Sequence, residues 1–140
     1  MTTVDLPERK VGIISCSGEG CVEGTISRVA TRMVLEKLRP DQTVTICLPL
    51  FLACGEEERA FARYYPTITV DGCGKLCARV GTERYSGKPA SSIVVSDLTG
   101  NPGSSELPSR RQLDKKTLTV AEKVAQRITQ EVDEALKHWR

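Results

Sequence analysis

Val11-Gly-Ile-Ile-Ser-Cys16-Ser-Gly-Glu-Gly20 decides the fold of this chain. Val11 to Ser15 is a short β-like run, and the Gly-rich turn Ser17-Gly-Glu-Gly20 closes it. Beyond the turn the period changes. Ile26, Val29, Ala30, Met33, Val34 and Leu38 recur at helical spacing until Pro40 ends the pattern. Strand, tight turn and amphipathic helix form the opening unit of an α/β protein.

The same alternation continues outward. Thr43 to Leu48 is a second β-branched run, and Glu56 to Tyr65 reads as a charged amphipathic helix closed by Pro66. Thr67 to Val70 is again strand-like, and Lys75 to Thr82 begins a short helix that Gly81 weakens. Ser91 to Asp97, with Ile93, Val94 and Val95 consecutive, reads as a fourth strand covered on both faces. Thr99 to Gln112 holds Gly100, Pro102, Gly103 and Pro108 and reads as a loop. Thr119-Val-Ala-Glu122 fits a capping box, opening a helix with Val120, Val124, Ile128, Val132 and Leu136 on one face. Right-handed crossovers place such strands in a parallel sheet between two helical layers. The expectation is therefore one α/β domain over residues 1–140: a three-layer, Rossmann-like sandwich on a four-stranded, mostly parallel sheet of order near 2-1-3-4.

With 140 residues the chain has room for one core. Its net charge of +2 and six scattered aromatic residues supply neither a basic footprint nor a stacking platform for nucleic acid. Met1 to Lys10 is polar, with no apolar leader segment, and no long apolar span follows. These features predict a cytoplasmic protein with no membrane or nucleic-acid partner; a protein partner or homo-oligomer is left open.

In a reducing compartment six cysteines read more readily as ligands or redox groups than as a disulfide framework. Cys16, Cys47 and Cys73 each end a strand-like run, and Cys77 follows Cys73 by four residues. Parallel neighbours lie about 4.8 Å apart, so their carboxyl ends would gather these sulfurs at the edge where open α/β sheets keep ligands. Four thiolates suit a closed tetrahedral zinc site; an iron–sulfur cluster or Cu(I) is the second choice. The competing reading is that cysteine merely fills apolar space.

Asp71 is a candidate to orient a ligand or to cap the next helix, and Asp97 is expected at the same edge as the end of the fourth strand. Cys21 and Cys54 stand beside presumed ligands as auxiliary thiols. Gly18-Glu-Gly-Cys-Val-Glu-Gly24 fails the dinucleotide pattern at Glu23. Cys73 with Arg79 six residues on lacks the hydroxyl of a cysteine-phosphatase loop, because Val80 follows the arginine. His138, the sole histidine, leaves Cys–His catalysis without a base elsewhere.

Cys16-Ser17-Gly18, Cys47, Asp71-Gly72-Cys73 with Cys77, and Ile93-Val-Val-Ser-Asp97 together resemble the DGC-domain proteins over residues 11 to 100. That resemblance implies zinc binding through Cys16, Cys47, Cys73 and Cys77. Cys21, Cys54 and the bulky Leu48-Pro-Leu-Phe-Leu-Ala53 depart from the family's usual pattern. Two function classes follow. One is a metal-binding protein serving as sensor, carrier or interaction platform. The other is a redox or sulfur-transfer enzyme using Cys16 or Cys73.

Overall fold

A computed structural model describes residues 9–18, 20–99 and 112–139. Four parallel strands, β1 (Val11–Ser15), β2 (Thr43–Thr45), β3 (Thr67–Asp71) and β4 (Ser91–Val94), form one sheet of order β2-β1-β3-β4. Pairing starts level on one side, with Val11 opposite Thr43, while Ser15 lies opposite Val70 on the other. Strand alternation sends Val11, Ile13, Ile68 and Val70 to one face, packed against α1 (Val22–Met33) and, beyond the loops, α6 (Val95–Thr99) and α7 (Lys115–Lys137). Ile14 and Cys16 point to the other face. There they meet Phe51 of α2 (Leu50–Ala53), Phe61 of α4 (Phe61–Tyr64) and Ala78 of α5 (Cys77–Tyr85).

The two layers are unequal. The first is the larger apolar core and the second a small one, whose sheet face also carries the buried hydroxyls of Thr67 and Thr69. The α/β sandwich and its strand order match the sequence expectation.

Several local readings are corrected. The helix read over Glu56 to Tyr65 is two turns, α3 (Glu56–Arg59) and α4, joined at Ala60. β4 stops at Val94, and Val95 is buried as the first residue of α6; a β-branched run cannot show where a strand leaves the sheet. α7 begins before Thr119: Asp114 is its cap and accepts the Thr117 N–H at 2.9 Å, whereas Thr119 Oγ1 donates back to Lys115 O at 3.0 Å. The loop read over Thr99 to Gln112 lies largely outside the described residues.

α1 does not simply end. It widens into a π-helical turn, Val34–Leu38, closed by Arg39 N–H donating to Val34 O at 2.8 Å. Arg39 then reaches α7, where Nε and Nη2 donate to the two Asp133 carboxylate oxygens at 2.9 Å each. This pair fixes the end of the helix that forms one wall of the candidate site. No helix among the described residues is long and apolar enough to cross a membrane.

Candidate functional site

At the carboxyl edge of the sheet the residues singled out from sequence do not assemble into one metal-holding group. Cys16 continues β1 and packs with the second core; its Sγ accepts the Gly72 N–H at 3.3 Å and lies 3.5 Å from Ser27 Oγ. Cys47 is exposed, because β2 leaves the sheet after Thr45 and the chain turns through Ile46 to Pro49. Cys73 is half-buried in the turn after β3, with its carbonyl accepting the Leu76 N–H at 3.2 Å. Cys77 is exposed as the first residue of α5, directed there by Leu76 in the left-handed region at φ 57°. Cys54 closes α2. Asp97 sits exposed in the first turn of α6 and does not end a strand.

Among the described residues no group of three or more His, Cys, Asp and Glu side chains could hold a metal ion. This overturns the expectation of a four-cysteine zinc site, of an iron–sulfur cluster in its place and of a metal ion as partner. The inference from strand ends failed for a physical reason. Neighbouring strands share a spacing only while they remain paired, and β2 contributes just three residues before its cysteine-bearing turn peels away. The thiol-enzyme alternative on Cys16 or Cys73 falls with the cluster. All six cysteines are free, and Cys16 is engaged in packing and hydrogen bonding. Burial pushes the Cys21 thiol up, with Glu23, Cys73 and Cys16 adding to the effect against an opposing hydrogen bond from Gly24. That environment favours the neutral thiol.

What the edge does build around Asp-Gly-Cys is a joint. Asp71 ends β3 with 1% exposure, and its two carboxylate oxygens accept the Ala78 N–H at 2.7 Å and the Arg79 N–H at 3.1 Å. It thereby caps α5 from a neighbouring strand, a task Leu76 at the cap position cannot perform. Burial outweighs these bonds and the Arg79 charge, so the carboxyl is pushed up from its usual range. Gly72 lies directly against the first turn of α1: a Cβ there would stand 2.4 Å from Gly24 N and 2.7 Å from Glu23 C. At Gly24 a Cβ would come within 1.8 Å of Gly18 O. Gly24, one of the glycines that invited a nucleotide-binding reading, acts with Gly72 to let three backbone segments touch.

The chemistry-bearing cavity lies to one side, between the carboxyl ends of β1 and β2 and the flank of α1. It has a volume of about 540 Å³, within the range of small-molecule sites. α1 and the turn after it contribute Arg28, Thr31, Arg32 and Leu35. Their spacing of three, four and seven residues aligns them in one stripe. This signal was present in the sequence but masked by the apolar periodicity beside it.

The opposite wall is less polar: Ile46, Leu48 and Pro49 accompany Cys47. At the inner end, Ser15 and Ser17 bond to each other at 2.7 Å, and Ser17 adopts a left-handed φ of 54°. Thr45 Oγ1 donates to Ile13 O at 2.6 Å. Thr31, 3% exposed, lines the same cavity with a buried Oγ1 that has no hydrogen-bond partner. Two arginines, an unsatisfied hydroxyl and an apolar wall can receive a small molecule with an anionic head and an apolar body. Cys16 and Cys47, expected as ligands of one ion, are here lining residues of the cleft.

A model of the DGC domain matches residues 12–124. No curated protein and no solved structure matches the chain.

Proposed function

The chain belongs to the DGC-domain family, and for this member we propose a binding function: its cleft takes a small oxyanion-bearing molecule, a phosphate monoester or a carboxylate with an apolar body. The observation that carries the reading is Arg28 and Arg32 on the cavity wall, with the unpartnered Thr31 hydroxyl between them in sequence. Guanidinium groups suit carboxylate and phosphate through charge-assisted hydrogen bonds, while Leu35, Ile46, Leu48 and Pro49 offer apolar contact. We take residues 1–140 to act as one cytoplasmic domain, a reading that six free thiols suit because such a compartment keeps them reduced.

Calorimetric titration with phenyl phosphate and with benzoate, using benzyl alcohol as the neutral control, tests the proposal. Saturable binding of at least one anion is expected, and Arg32→Gln should weaken it about tenfold, the loss of one hydrogen bond to a charged group. Because Cys47 is exposed and lines the cleft, bound anion should also slow its alkylation by iodoacetamide. Equal binding of the neutral control, or an Arg32→Gln variant that binds as the native protein does, defeats the reading.

A further inference from the structure

Arg32 has a partner on its own helix face. Its Nη2 donates to Glu36 Oε1 in an ion pair across one helical turn, both side chains being largely exposed. Glu36 does not line the cleft, whereas Arg32 does. The carboxylate stands in the π-helical turn, immediately after Leu35 and just where α1 widens. Its segment is held at the far end by the Arg39–Asp133 pair.

We infer that Glu36 is a built-in competitor for the bound oxyanion, setting the affinity of the cleft by holding Arg32 until a ligand displaces it. The inference rests on the proposed anion-binding reading and adds a specificity-determining residue outside the cavity. A strong ligand must outbid the intramolecular carboxylate. A weak surface anion in solution must do the same and gains too little. The exchange is feasible because an exposed ion pair between i and i+4 is worth only about 0–1 kcal/mol. A hydrogen bond from a guanidinium to a bound oxyanion in a partly desolvated cleft exceeds that.

The test is a double-mutant cycle on the full chain, read by phenyl phosphate titration in low-salt buffer. Glu36→Gln keeps the side-chain shape and should tighten binding about two- to fivefold, the factor equivalent to releasing a surface ion pair. In an Arg32→Gln background the same replacement should change affinity by less than about 1.5-fold, since the residue to be released is gone. Unchanged or weaker binding by the single Glu36→Gln variant overturns the inference and leaves the cleft reading standing. An equal gain in the Arg32→Gln background also overturns it, showing that Glu36 acts only as a nearby negative charge. Absence of binding by every form overturns both readings together. Circular dichroism of each variant confirms that α1 is retained, so a loss of the helix is distinguished from a loss of competition.

Discussion

Replacing Gly24 by alanine is expected to destabilise the protein by about 3 kcal/mol or more, although helix propensity alone predicts a gain. Gly24 lies inside α1, where alanine normally stabilises by about 1 kcal/mol over glycine. Space decides against it: the new methyl would lie 1.8 Å from Gly18 O, and Gly18 is backbone that cannot swing aside like the tip of a flexible side chain. Gly72→Ala meets the same turn from the other side, at 2.4 Å from Gly24 N. The loss would take a large part of the 5–15 kcal/mol typical of a domain. Gly74→Ala is the control, because a Cβ there meets nothing within 4 Å, and it should stay within about 0.5 kcal/mol of the native protein. Urea unfolding of the three variants separates the cases. A Gly24→Ala protein as stable as the native one would mean that α1 can move off the β1 loop without penalty.

These contacts mark the limit of what the sequence could show. The short apolar run Val11 to Ser15, covered on both faces, and its alternation with the 3.6 period of the following helix were legible because burial imposes them residue by residue. From that alternation came the parallel sheet and its order. Where a strand parts from its neighbour is a different property. It depends on the partner strand, so β2 ending at Thr45 and β4 ending at Val94 leave no local trace. The mistaken convergence of Cys16, Cys47, Cys73 and Cys77 descends directly from that blindness. The Gly24–Gly72 contact joins positions far apart along the chain, and a glycine quoted alone cannot reveal whether it serves conformation, a ligand or another backbone. The arginine stripe was visible in principle. Reading α1 only for its apolar face passes over Arg28 and Arg32, and only the placement of β2 shows a cavity beside them.

Asp71 carries the second large effect, and its sign with pH is distinctive. Asp71→Ala should cost about 2 kcal/mol at pH 7, the balance of two opposing changes. Removing the carboxylate orphans the Ala78 and Arg79 amides at the start of α5, each of which costs about 1–3 kcal/mol where it stays dry. Against this, the fold no longer has to bury a charge. Asp71→Asn fills the same space, and one amide oxygen can serve only part of the double cap, so a smaller loss is expected. The carboxyl is pushed up by burial, so the folded chain binds its proton more tightly than the unfolded chain does. The proton-linked part of its contribution is therefore fully present below the ordinary carboxylate pKa and is lost as pH rises through the raised folded value, and the two amide bonds carry what stays at pH 7. Asp114 and Asp133 behave oppositely: hydrogen bonds from Thr117 and Arg39 hold their carboxyls low, and their contributions disappear in acid. Subtracting the stability of Asp71→Asn from that of the native protein at each pH removes this shared background. The difference should shift in favour of the native protein as pH falls from 7 toward 4. A shift the other way would show that the two amide bonds outweigh burial, making Asp71 a cap held as a stabilised anion.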